Sequence, residues 1–483
     1  MIILADFADR IVINKKAILI NTVTQTAVRV VMLFVTLLSV KLLTNYLGVA
    51  GVGDYNTITT YLNFFLMIAE LGLFSVTVRE ISRTPEKEGS ILSNVLGVRI
   101  AISLLVTILS VILVFCTHYS TNIKYGVLAA SGFLFLNLIA SVYDMALQHR
   151  LKMQFSALAE LISKLISVIA LIVIITYRGN FLWVAGTIAL SGLLILFFKW
   201  LFTIRFVRFR PSYNREIGRW LIRMAWPLGL VMIVNNLFFK LDTLMLFVIH
   251  GSVAVGIYSV AFKVLEVTVF IGSYFASALK PGLSQSTSNR QAISNIVNRG
   301  WEIMLIVALP IAAGSAIFAR EIVIFLSNID FVSGAFSLAI LSLSLPIMYI
   351  NSVLIEVLIA RDERKTLIII SVGMLIFNFI ANLILIPIYS YNGAAVVNFA
   401  TQLLLMIVNI IVIKKYVSFI FNTTVVIRAV AATLIAGIGA WLLSTWGLNF
   451  IICLIALVLI YGAMIMIFKV LSVQSLKQIL SRS

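Results

Sequence analysis

The sequence predicts an all-α integral membrane protein, and three observations carry that reading. Of 483 residues, 62% are hydrophobic and only 11% are charged, with a mean hydropathy of +1.12, far from the usual mixture of a soluble globular domain. The apolar residues gather into about fourteen long stretches separated by short polar joints, each near the roughly 20 residues a helix needs to cross the hydrocarbon core. Lys and Arg collect in alternate joints, as the positive-inside rule requires of a chain that threads a bilayer repeatedly. Phe, Ile, Leu and Val fill the stretches without the strict alternation of a barrel strand, so helices are expected rather than a β-barrel.

In chain order the spans are expected at 17–45, 56–79, 91–116, 125–148, 155–177, 181–204, 221–249, 256–279, 299–319, 336–360, 366–388, 393–413, 425–445 and 449–469. Basic residues crowd the amino-terminal arm and the even-numbered joints, from Arg79, Arg83 and Lys87 through Arg150 and Lys199 to Arg361, Arg364 and Lys365. The opposite joints hold only Lys124, Arg178 and Arg320. That asymmetry predicts both termini in the cytoplasm and an even number of spans. The stretch MIILADFADRIVINKK carries acidic residues and no signal-peptide cleavage pattern, so a short amphipathic cytoplasmic arm is expected there.

The net charge of +18 does not call for nucleic acid, because its spread over membrane-flanking joints is what topology alone requires. The richest run, Arg205 to Arg223, joins the two halves of the chain and also suits anionic lipid headgroups. Cys116 and Cys453 stand alone, and His118, His149 and His250 are scattered at span ends. No disulfide framework, metal cluster or cofactor is expected.

An internal repeat divides the chain. Gly53 and Tyr55 match Gly256 and Tyr258 at a common offset, Leu147-Gln148-His149-Arg150 matches Leu358-Ile359-Ala360-Arg361, and Asn180 matches Asn392. Matches in the same order predict two six-helix bundles in the same orientation, an architecture recurrent in transporters. The domains expected are a bundle over 1–204, a basic linker over 205–220, a second bundle over 221–413, and a further helix pair with a tail over 414–483.

The chain resembles the multidrug/oligosaccharidyl-lipid/polysaccharide (MOP) exporter superfamily, in particular its Wzx-type polysaccharide flippases. The resemblance lies in Leu47-Gly48 through Gly53-Asp54-Tyr55, Glu70-Leu71-Gly72-Leu73 and Arg79-Glu80, and it extends over nearly the whole length. It implies movement of a polyprenyl-diphosphate-linked oligosaccharide from the inner to the outer leaflet, with other polysaccharide assembly proteins as potential partners. Fourteen spans are also similar to the lipid II flippases, whose last two helices help form a groove for a lipid tail.

Intramembrane charge singles out the candidate site residues, since each costs about 2.5–3.5 kcal/mol at the bilayer centre on insertion scales. Thr22, Gln25, Arg29 and Thr36 fall near one face of the first span, with Arg29 at mid-depth. A guanidinium forks onto phosphate oxygens, which suits a diphosphate; the competing reading is an Arg that pairs with Glu70 or Asp144 to hold helices together. Lys41, Lys240 and Lys263 are expected to add positive charge to the substrate cavity, and Asn235 and Asn236 to line it with Gln25. Glu70, Asp144, Asp242 and Glu266 are candidates for ion coupling or for cavity pairing. Two pairings are considered between consecutive helices, Lys240 with Glu266 or Asp242 with Lys263; Glu160 stands one turn from Lys164.

Two rivals are weighed. An integral polymerase or ligase is disfavoured because the outer joints are short, nearly devoid of acid–base groups, and free of P-loop, zinc and nucleophile-elbow motifs. A multidrug antiporter of the same superfamily calls for a cavity ruled by carboxylates and aromatics, whereas this chain offers Arg29, Lys41, Lys240 and Lys263 beside its acids. The expectation is a non-enzymatic flippase working by alternating access.

Overall fold

The computed structural model describes residues 15–70, 72–286 and 289–470; the arm expected up to residue 14 and the tail from 471 lie outside them. Regular structure among the described residues is helical throughout, because a backbone in lipid finds hydrogen-bond partners only in itself. Two compact units divide at Lys240/Leu241. The first holds α1 (Lys15–Glu70), α2 (Leu73–Arg83), α3 (Glu88–Phe115), α4 (Thr121–Ala130), α5 (Gly132–His149), α6 (Met153–Thr176), α7 (Phe181–Thr203) and the start of α8 (Arg215–Gln285). The second holds the remainder of α8, then α9 (Arg290–Ile317), α10 (Ala319–Leu326), α11 (Ala335–Ala360), α12 (Arg364–Ile413), α13 (Thr423–Thr445) and α14 (Phe450–Ile467).

Eleven helices among the described residues are long and apolar enough to cross a membrane, fewer than the fourteen stretches of the sequence. The difference lies in how the long helices are built. α1 is interrupted at Gly48, α8 at Gly251 and α12 at Ser390, each at or beside a joint expected between two spans. As one rod the 56 residues of α1 would run about 84 Å, nearly three hydrocarbon thicknesses. Gly48 (φ 64°) and Gly251 (φ 76°) take left-handed backbone that a Cβ would disfavour.

These interruptions expose the repeat. Gly48 and Gly251 share the offset that relates Gly53 to Gly256. Leu151 and Asp362 both have φ 56°, and Arg178 and Ser390 have φ 53° and 52°. Non-glycine residues adopt such backbone rarely, so its recurrence at matched positions marks one joint built twice. At the first of them Lys152 N–H donates to the Leu147 carbonyl (2.8 Å) and Glu363 N–H to that of Leu358 (2.9 Å). The Asn180 and Asn392 match is looser: Asn180 caps α7 by accepting from Trp183 N–H, while Asn392 accepts from Ser337. Beside Asp362 the Tyr416 hydroxyl donates to Glu363, and this bond is the main reason that the carboxyl sits below its ordinary range.

In the first unit Leu73, Val76 and Ile81 of α2, Leu92 and Val95 of α3, Val142 and Met145 of α5, and Leu221 and Ala225 of α8 form one buried cluster. The linker after α7 is stitched to α3: Ser212 N–H donates to the Ser93 carbonyl (3.1 Å) and Asn214 N–H to Asn94 Oδ1 (2.7 Å). Its equivalent in the second unit is stitched to α9, with Ser418 N–H on Ser294 Oγ (2.9 Å) and Ile420 N–H on Asn298 Oδ1 (3.1 Å). A Cβ at Gly97 would stand 2.1 Å from the Ser212 carbonyl oxygen, a backbone atom that cannot swing aside. Gly97→Ala is therefore expected to lift the linker and cost about 1–3 kcal/mol, read as a lower melting midpoint of purified protein; an unchanged midpoint would contradict this packing.

The last pair, α13 and α14, docks on the second unit. Ala429, Ala432, Ala436 and Ala440 put small side chains along one face of α13 against Cys453, Leu457 and Tyr461 of α14, the close approach that small residues allow in membranes. The Tyr461 hydroxyl donates to the Ile306 carbonyl of α9 at 2.8 Å.

Candidate functional site

The second unit encloses a polar nest around Asp242 of α8, which is 2% exposed. Asn382 Nδ2 donates to its Oδ1 at 2.7 Å and the Tyr258 hydroxyl approaches Oδ2 at 3.3 Å, with Asn378 and Asn398 as further hydrogen-bond partners. Asn382 Nδ2 also reaches Asn378 Oδ1 (2.9 Å), and Asn378 Nδ2 reaches Thr401 Oγ1 (3.3 Å). Farther along the chain of α12, Asn351 Nδ2 of α11 donates to the Gln402 carbonyl and Asn409 Nδ2 to Asn351 Oδ1. Helical spacing makes the nest: Asn378 and Asn382 lie one turn apart before the interruption at Ser390, and Asn398, Thr401 and Gln402 share a face after it.

Oxygen acceptors outnumber their donors here. Asn382 Oδ1 and Asn398 Oδ1 are buried without a hydrogen-bond partner, beside a carboxylate. Buried acceptors left unmatched cost about 1–3 kcal/mol each, and a proton on the carboxylate or a small cation against these oxygens would relieve that cost. The repeat makes the nest a feature of one unit. The offset that pairs Tyr55 with Tyr258 places Ser39 where Asp242 stands, and Ser39 only bonds back to the Val35 carbonyl, while Tyr55 bonds Thr187.

Two buried ion groups organise the first unit. Arg99 of α3 is fully buried; it donates to Glu70 Oε1 at 2.7 Å and to the Ala69 carbonyl at 3.0 Å, so its charge meets both a carboxylate and the carbonyl end of α1. Lys199 of α7 is 4% exposed and donates to Asp144 Oδ2 of α5 at 2.7 Å and to Glu160 Oε1 of α6 at 2.9 Å. Ser156 supplies a further donor to Asp144 Oδ1 at 2.6 Å.

The sequence candidates fall into place around these groups. Glu70 and Asp144, weighed as partners for Arg29, hold Arg99 and Lys199. Glu160, one turn from Lys164, takes Lys199 as a partner. Asp242 sits among amides rather than against Lys263, because Lys263 turns along its own helix to Glu266 at 2.7 Å, three residues on. Arg29 is exposed, and Gln25, Lys41 and Lys240 are half-buried. The side chains of Asn235 and Asn236 lie outside the described ones. The reading from sequence passed over Arg99, counted Lys199 among topology signals, and missed Asn378, Asn382 and Asn398; the available signal was the spacing of four residues between Asn378 and Asn382 within an apolar stretch.

A family model described as polysaccharide biosynthesis protein matches residues 15–287, and a second, MatE, matches 227–384. No curated protein matches the chain. Among solved structures, a lipid II flippase MurJ in an inward closed conformation aligns with TM-score 0.80 at 16% identity, covering 92% of this chain and 98% of its own. An inward-facing multidrug resistance MATE transporter of the MOP superfamily aligns with TM-score 0.64 at 14% identity, covering 81% and 94%. A MOP superfamily transporter from Pyrococcus furiosus, described by a binding pocket of reverse polarity, aligns with TM-score 0.59 at 15% identity, covering 83% and 96%. The model over 15–287 takes in more than half of the 483 residues, and the chain belongs to the polysaccharide biosynthesis protein family.

Proposed function

We propose that the protein is a flippase that carries a polyprenyl-diphosphate-linked oligosaccharide, the repeat unit of a surface polysaccharide, from the cytoplasmic to the outer leaflet of a prokaryotic plasma membrane. Alternating access is the mechanism, and both termini are cytoplasmic. The observation that carries this over a multidrug antiporter is the reach of the fold match: alignment with the lipid II flippase covers 92% of the chain, against 81% and 83% for the transporters above. The MatE match over 227–384 favours the antiporter as the second reading.

In this proposal Arg29 holds the diphosphate, with Lys41, Lys240 and Lys263 drawing the anion from water, and Asp242 is the carboxylate that couples transport to an ion. Lys263 faces Glu266, three residues on along the same helix. The test is translocation of a fluorescent polyprenyl-diphosphate oligosaccharide in proteoliposomes, read by protection from a membrane-impermeant quencher. Protein-dependent flipping supports the proposal; no flipping alongside uptake of cationic drugs favours the antiporter. Arg29→Ala is expected to slow flipping about tenfold to a hundredfold, the worth of a charge-assisted hydrogen bond, and Arg29→Lys to retain part of the rate. Wild-type rates in both variants would remove Arg29 from the site.

A further inference from the structure

The linker and the first turns of α8 form a surface with a chemistry of its own. Six arginines, Arg205, Arg208, Arg210, Arg215, Arg219 and Arg223, are all exposed, and Glu216 is the one acid among them. None of the six forms an ion pair among the described residues. Positive-inside topology explains why such residues stay on one side; it does not explain why the chain holds them in a fixed array.

The segment is fastened from behind. Besides the bonds from Ser212 and Asn214 to α3, Asn214 Oδ1 caps α8 by accepting from Glu216 N–H (2.9 Å) and Ile217 N–H (3.3 Å). Phe209 packs on Tyr143 with ring centroids 5.3 Å apart, and Val207, Phe209 and Ile217 join the cluster that buries Leu221 and Ala225. With that face of α8 turned inward, Arg215, Arg219, Arg223 and Trp226 fall within an arc of about 80° on the outward side. Trp226 is 54% exposed, Tyr213 66% and Trp220 38%, the amphipathic aromatics that settle at headgroup depth.

The exposed indoles of Trp220 and Trp226, residues of the kind that settle at the membrane–water interface, place the arginine-bearing turns at headgroup depth. We infer that this array is a binding surface for the headgroups of anionic phospholipids in the leaflet at the basic end of the molecule. Arginine forks onto phosphodiester oxygens while the indoles anchor the helix in the interface. The inference needs the membrane fold alone and stands apart from the flippase reading.

The full-length protein, purified in mild detergent and offered mixed phosphatidylglycerol and phosphatidylcholine, tests it by native mass spectrometry of retained lipid. Each arginine near an anionic surface is worth about fivefold in partition, so Arg215→Gln/Arg219→Gln/Arg223→Gln is expected to lower phosphatidylglycerol retention at least tenfold. The three-lysine version of the same positions is expected to keep most of it, and raising salt to weaken it in the wild type. Arg79→Gln/Arg83→Gln/Lys87→Gln removes equal charge from exposed basic positions at another joint and is expected to change little. An equal fall in both triple variants, or none in the first, overturns the inference. So does retention of undecaprenyl phosphate in preference to phosphatidylglycerol through the same arginines. Retention is read on folded protein only, so a variant that aggregates is replaced by the single changes Arg219→Gln and Arg223→Gln.

Discussion

Lys199→Ala is expected to leave little folded protein in the membrane. The change strands Asp144 and Glu160, whose carboxylates both accept a hydrogen bond from the Lys199 ammonium at 2.7 and 2.9 Å. Leaving the buried Asp144 uncompensated costs about 3–5 kcal/mol, a large share of the roughly 5–15 kcal/mol that separates folded from unfolded protein. Glu160, whose side chain is 36% exposed, is partly screened and adds less. Here two like charges remain, on α5 and α6, and they repel. The expected readings are a strong fall in monodisperse material after detergent extraction and a lower melting midpoint. Rescue separates electrostatics from packing: Lys199→Ala with Asp144→Asn and Glu160→Gln is expected to recover most of the loss, since neutral amides need no counter-charge. A single variant that melts with the wild type, or a triple variant as poor as the single, would show that the lysine does not hold these helices by charge.

That lysine also marks where sequence reading stops. Depth and side of the membrane are one-dimensional properties, written in the order of apolar stretches and basic joints, and the helical fold and its repeat follow from them. Gly48 and Gly251, Leu151 and Asp362, and Arg178 and Ser390 show the repeat reaching down to individual backbone angles. Partnership is set by which way each helix is rotated about its axis, and nothing in the order of residues states that rotation. Lys199, four residues before the end of α7, reads as one more basic residue at a joint until α5 and α6 bring Asp144 and Glu160 to it. Arg99 has no partner legible in the sequence; its carboxylate is Glu70 at the end of α1, beside the left-handed turn at Gly72 (φ 71°). Asp242 drew notice as an acid, and attention went to lysines as its partners. Asparagines at 378, 382 and 398 were overlooked because neutral amides do not register in a charge count.

Asp242→Asn is expected to uncouple transport from its driving ion while leaving the fold intact. The carboxylate is buried among Asn382, Tyr258, Asn378 and Asn398, and two amide oxygens beside it, those of Asn382 and Asn398, accept nothing. A proton or hard cation relieves that excess of acceptors when the charge is present. An amide at position 242 relieves it differently, by supplying two N–H donors of its own in nearly the same volume, so no ion is needed. The melting midpoint of Asp242→Asn is therefore expected at or above that of the wild type, and Asp242→Leu, which strands the amides, is expected to lose about 1–3 kcal/mol for each group left unmatched. In proteoliposomes the wild-type flipping rate should rise when a sodium or proton gradient is imposed, and the Asn variant should run at the same rate with the gradient or without it. Imposing each gradient alone distinguishes the two ions. A gradient response preserved in Asp242→Asn would move coupling elsewhere and leave the nest as packing of α8 against α12; a wild type indifferent to both gradients would make the protein an uncoupled flippase, in which the unmatched oxygens serve neither ion.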